Sequence, residues 1–116
     1  MICEPWDVVV VPFPFVERAG TKRRPTLVLS KASFNEGGNT ILAMITTRAH
    51  QPWPGDTPIV RLDEAGLNVS CMVRLKLFTL DNRFIARRIG QLSSLDQEEA
   101  AQQLHLHIAS SDSATP

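Results

Sequence analysis

Lys22-Arg23-Arg24-Pro25 is the stretch of this 116-residue chain best placed to do chemistry. Three consecutive cations end at a proline, and the apolar run Thr26-Leu27-Val28-Leu29-Ser30 follows at once. Proline fixes its own φ and pushes the preceding residue towards extended backbone, so Arg24 is anchored at the mouth of a strand. Lys22 and Arg23 belong to the looser segment before it. An aimed guanidinium reads phosphate or carboxylate through paired hydrogen bonds. The other reactive side chains are poorly spaced. His105 and His107 lie two apart on a predicted helix and point to different faces, whereas a metal pair there needs i, i+4. His50 stands alone in a loop. Cys3 and Cys71 are too few for a disulfide framework and lack metal-like spacing. They read as reduced cytoplasmic thiols, Cys71 in the core and Cys3 exposed or frayed. No metal site is expected.

The elements that must hold Arg24 are short. Asp7 to Phe15 is β-branched and aromatic, but Pro12 and Pro14 keep it from a central ladder, so it reads as an edge strand. Val16 to Arg24 reads as a polar loop and Thr26 to Ser30 as a buried strand. Lys31 to Glu36 makes a helical turn closed by Gly37-Gly38-Asn39. Thr40 to Thr47 is a third strand, and Arg48 to Asp56 a proline-rich loop around Trp53. Thr57 to Leu62 alternates as a fourth. Ser70 to Leu80 alternates strongly, with Met72, Arg74, Lys76 and Phe78 on one face and Val73, Leu75 and Leu77 on the other. Asp81-Asn82 predicts a hairpin into Phe84 to Leu92, where Gly90 marks a bulge or a close approach. Ser93 or Ser94 caps a helix whose apolar stripe is Ala101, Leu104 and Ile108, and Ser110 to Pro116 is a frayed tail. Many short strands with one terminal helix predict a small, strongly bent barrel or sandwich.

The bulk numbers are those of one ordinary globular domain: 43% hydrophobic and 21% charged residues, formal net charge zero. The charge is nevertheless segregated. Arg18, Lys22, Arg23, Arg24 and Lys31 form an acid-free stretch, while acids collect at Asp63-Glu64 and from Asp96 to Glu99. A neutral chain of this kind can still present a basic face. No segment approaches the roughly 20 apolar residues of a membrane span, and no signal-peptide pattern opens the chain, so a cytoplasmic protein is expected.

Taken in order, WDVVVVPFPF, KRRPTLVLS, ILAMITT, VRLKLFTLD and RRIGQLS before the last helix resemble the PemK/MazF toxins of bacterial type II toxin–antitoxin pairs. The resemblance runs from about Pro5 to about Ile108. It implies a mainly β fold with a C-terminal helix, the SH3-like small β-barrel of the PemK/MazF/CcdB kind. Residues 1–109 would be the single domain and 110–116 a disordered tail. It also implies a homodimer, a cognate antitoxin and cleavage of single-stranded RNA without a metal or other cofactor. In the family the catalytic arginine directly precedes the proline that opens the second strand, here Arg24. Its partner is the threonine after the isoleucine of the third strand, here Thr46.

Around that pair the resemblance gives other residues a reading. Lys22 and Arg23 extend electrostatic reach towards RNA backbone or antitoxin carboxylates, or are solvated decoration. Trp53 either stacks a base or pins its loop to the barrel. Of Arg87 and Arg88, whose side chains point to opposite faces, at most one can join an RNA groove. Two departures stand out. Many members begin the first strand with Gly-Asp, where this chain has Trp6-Asp7. Many carry Glu-Gln-Ile-Arg-Thr in the fifth strand, where this chain has Leu75-Lys76-Leu77-Phe78-Thr79, which replaces a base-reading pair and leaves Lys76 as an RNA-binding candidate. Two other functions fit the same fold: a toxin that poisons DNA gyrase without enzymatic activity, and an inactive SH3-like binding module.

Overall fold

Asp7–Phe13 forms β1 and Lys22–Val28 forms β2, antiparallel to it. The computed structural model describes residues 1–13, 22–47, 51–109 and 111. A helical turn, α1 (Ala32–Asn35), then leads to β3 (Asn39–Thr47), a two-residue β4 (Thr57–Pro58) and the long β5 (Cys71–Asp81). A 3-10 turn over Asn82–Phe84 precedes β6 (Arg87–Gln91), and α2 (Ser94–His107) follows. The strands make one curled antiparallel sheet in the order β4-β5-β3-β2-β1-β6. The expected mainly β fold with a C-terminal helix is therefore present, as a half-barrel.

Alternation along the strands feeds a core on each face. Val8, Leu27, Ala43, Ile45 and Val73 point to one side, with Ala100 of α2 among them. Val9, Val11, Val28, Leu42 and Leu80 point to the other, where Cys3 joins them. Cys3 is thus not frayed but 2% exposed. The Asn35 side-chain amide donates to its carbonyl oxygen and fixes the N-terminal segment against the sheet. Cys71 lies in the core as expected.

Several expectations are corrected by tertiary contacts. Lys22, Arg23 and Arg24 are not in a loop but in β2, opposite Phe13, Pro12 and Val11. Strand β1 is not an edge along its whole length, because β6 pairs with Asp7 to Val10; only Val11 to Phe13, which contain Pro12, keep one neighbour. Pro14 and the loop to Thr21, His50 and the tail residues 110 and 112–116 lie outside the described residues. The fourth strand shrinks to two residues, because the Val60 and Arg61 amides donate to the buried Asp96 carboxylate at the start of α2 instead of to a strand. The Ser93 side chain caps that helix by accepting from the Asp96 amide. Its buried face carries Asp96 and Ala100, and Ala101 and Ile108 are exposed.

The predicted β5–β6 hairpin is absent: β6 pairs with β1, on the far edge of the sheet. Asn82 turns the chain away. Its amide nitrogen donates to Gly38, its side chain donates to the Asn35 carbonyl, and its Oδ1 accepts from Thr40. On β6 the register slips between Val8 and Val9, so the bulge anticipated at Gly90 is real. Gly90 is also a close approach, since a Cβ there would stand 2.4 Å from the Ala65 carbonyl carbon.

Candidate active site

Pro25 decides the local architecture. β2 pairs with β3 only from Thr26 (opposite Met44) to Val28 (opposite Leu42). Beyond Thr26 a proline has no N–H to give to a ladder. β2 stays paired with β1 as far as Lys22, and β3 stays paired with β5 as far as Thr47. The two central strands therefore part, and a seam opens in the sheet between Arg24-Pro25 and Ile45-Thr46.

A cleft lies on either face of this seam, and Arg24, Ile45 and Thr46 line both. On the first face Phe13, Met44, Arg74 and Lys76 complete a cleft of about 320 Å³. Strand alternation points the Arg24 and Thr46 side chains to this face, since Arg24 pairs with Val11 and Thr46 with Met72. On the second face Arg23, Thr47, Arg87 and the Gly66–Val69 segment line a larger cleft of about 530 Å³. The residues chosen from the two motifs are thus brought to one place. The Arg24 guanidinium lies over the Phe13 ring, 5.6 Å from its centroid, and is exposed. Among the described residues it has no ion pair. Thr46 is half-buried in β3.

The RNA-binding candidates divide between the two faces. Lys76 is exposed in the first cleft, and its ammonium sits 5.5 Å from the centre of the Trp53 ring. Arg74 approaches the same ring at 5.7 Å. Trp53 is held by its loop: its amide donates to Asp56, and Asp56 accepts two hydrogen bonds from the Arg74 guanidinium at 3.0 and 2.9 Å. The hydrogen bond from Arg74 holds the Asp56 carboxyl below its ordinary range. Trp53 still leaves 40% of its surface exposed. Leu75 and Lys76, where the sequence departs from Glu-Gln, have no partner on β3, because the register jumps from Ala43–Leu77 to Met44–Arg74. Arg23 lies on the second face and Lys22 is exposed at the end of β2.

Arg87 was not singled out by sequence beyond its alternation with Arg88. Tertiary structure separates the two. Arg88 donates to the buried Asp7 carboxylate at 2.9 Å, and Arg87 turns into the second cleft. Neither cleft is lined by a carboxylate or an imidazole among the described residues.

The model of the PemK-like, MazF-like toxins of type II toxin–antitoxin systems matches residues 4–108. This chain belongs to that family. Solved structures agree in fold. The crystal structure of MazF from Deinococcus radiodurans superposes with a TM-score of 0.68 at 25% identity, covering 91% of this chain and 96% of that one. A MazE–MazF crystal structure from the same organism gives 0.70 at 22% identity, with the same coverage. An endoribonuclease in complex with its cognate antitoxin, from a mycobacterial species, gives 0.68 at 13% identity over 90% of this chain and 91% of that one. A comparison with curated proteins finds no match. Among the described residues no helix of this PemK-like chain is long and apolar enough to cross a membrane.

Proposed function

We propose that this toxin is a metal-independent, sequence-selective endoribonuclease that cuts single-stranded RNA at the seam between β2 and β3. One observation carries the reading: Arg24 and Thr46, distant in sequence, line the same cleft where Pro25 ends the β2–β3 ladder. In such a cleavage the substrate's 2′-oxygen attacks the adjacent phosphorus, and the bond from phosphorus to the 5′-oxygen breaks. The 2′-hydroxyl proton leaves to solvent, and the departing 5′-oxygen takes one up. The products are a 2′,3′-cyclic phosphate and a 5′-hydroxyl. Negative charge builds on the non-bridging oxygens in between. A guanidinium stays protonated and can grip two of them, and the Thr46 hydroxyl can donate to one from a stiff χ1.

Lys76, Trp53, Lys22 and Arg23 would contribute binding. The likeness to the mycobacterial endoribonuclease solved with its cognate antitoxin supports both the activity and the partner. We take residues 1–109 as the catalytic domain, acting as a homodimer in the cytoplasm and neutralised by an antitoxin.

The test is purified protein with single-stranded RNA in EDTA. Cleavage to 2′,3′-cyclic or 3′-phosphate and 5′-hydroxyl ends is expected. Removing one preorganised donor costs about 10²–10³-fold in rate, so Arg24→Ala and Thr46→Ala should each fall by that order. Wild-type rates in both variants would refute the site. Intact RNA together with inhibited DNA supercoiling would favour the gyrase-poison reading instead.

A further inference from the structure

We propose that Arg87, with Arg23, forms a second anion subsite that holds a phosphodiester flanking the scissile one. The identity of the anion rests on the RNA reading above; the subsite rests on observations of its own. Val10 stands between Pro25 on β2 and Arg87 on β6 in one cross-strand row, and Arg23 is two residues from Pro25 on the same face. Arg23 and Arg87 thus share the second cleft, whose described lining contains no acid.

Ion pairing sets these two apart from three other arginines. Arg74, Arg83 and Arg88 are matched by Asp56, Asp81 and Asp7. Arg23 and Arg87 have no ion pair among the described residues, although both are exposed beside one cavity. Strand-borne guanidinium groups left without a carboxylate suit a phosphate.

The cleft wall is also built to stand close. Gly66 has φ +77°, and a Cβ on it would lie 2.1 Å from the Ile89 carbonyl oxygen. A Cβ on Gly90 would meet the Glu64 and Ala65 backbone. Two glycines therefore seat the Gly66–Val69 segment directly beside β6, in the cleft that Arg23 also lines. Arg24, Ile45 and Thr46 line both clefts, so the seam is common to them, and the phosphate next to the scissile one is assigned to the second cleft.

The experiment uses a single-stranded RNA octamer carrying 2′-O-methyl groups throughout, which cannot be cut. Arg87→Ala should bind it about tenfold more weakly than wild type, the order expected for a hydrogen bond to a charged group. The slope of log affinity against log salt should fall by about 0.7, one single-strand phosphate contact, and Arg87→Lys should restore it. A matched set of octamers carries one uncharged methylphosphonate at successive linkages. One such linkage, beside the scissile position, should weaken wild type about tenfold and leave Arg87→Ala no weaker than it already is. Unchanged octamer binding and salt slope in a folded Arg87→Ala overturn the proposal, even if that variant binds an acidic antitoxin segment less well. Equal sensitivity of both proteins to every methylphosphonate also overturns it. If wild type binds the octamer in this Arg87-dependent way yet leaves unmodified RNA intact, the subsite stands and the nuclease reading fails.

Discussion

At Trp6 the backbone takes φ 74°, a left-handed conformation that glycine adopts freely and a bulky residue adopts at a cost of about 1–2 kcal/mol. This is the position where many family members have glycine, so the departure seen in the sequence has a local consequence. The ring packs against the core cluster around Val8 and Leu27, and the Trp6 amide and carbonyl bond to Val28 and Leu92. Packing and two backbone hydrogen bonds offset the strain. Gly90 is the opposite case, a position where no side chain fits. The atoms that a Cβ would strike are backbone, not the end of a flexible side chain. Gly90→Ala should therefore destabilise by about 2–3 kcal/mol, the upper range for overpacking. The thermal midpoint should fall by on the order of 10 °C, read by circular dichroism. A midpoint within a degree or two of wild type would mean that β6 can move away from Ala65 freely.

Among the elements, the loop from Gln51 to Asp56 and strand β5 are joined by one ion pair. Arg74 holds Asp56 by two hydrogen bonds and also donates to the Gln51 carbonyl. Both side chains are largely covered. The Asp56 carboxyl, usually near 3.8, is lowered in the folded state. A depressed folded pKa means that the pair's contribution is complete above the ordinary value and is lost as pH falls through the lowered one. Asp56→Asn should thus destabilise the protein at pH 7, and the gap to wild type should close progressively below about pH 3.8. Urea melts of both proteins across that range measure it. A gap independent of pH would show that Asp56 acts through packing alone. The same ion pair places Trp53 over Arg74 and Lys76, so the loop reading and the stacking reading of Trp53 share one geometry.

For the whole molecule, the seam depends on strand order. Had β5 and β6 formed the hairpin that Asp81-Asn82 announces, Arg87 would lie beside β5 and not in the cleft with Arg23. By crossing to β1, β6 brings Arg88 to Asp7 and Arg87 to the second cleft. The proposed assembly is testable at this scale. Light scattering should give twice the chain's 12.9 kDa, and a small protein with an acidic tail, encoded next door, should co-purify with it. A monomer mass at micromolar concentration would remove the dimer, and a gene without such a neighbour would weaken the antitoxin reading.

Much of this was legible in the chain. Residue type marked β3, and periodicity marked β5 and the faces of its residues, because alternation is local and each sheet face is buried. Ser93, Gly90 and the Arg24-Pro25 step were readable for the same reason: capping, close approach and proline geometry act within a few residues. Thr46 was legible only through resemblance, since a threonine in a strand carries no chemical signal of its own. What the sequence could not decide depends on partners far along the chain. The burial of Cys3 requires Asn35, the shortening of the fourth strand requires Asp96, and the choice between Arg87 and Arg88 requires Asp7. Local residue types determined where Arg24 is stiff. Only the tertiary pairing, which keeps β2 with β1 and β3 with β5 beyond a proline that cannot bridge them, opened the seam in which it can act.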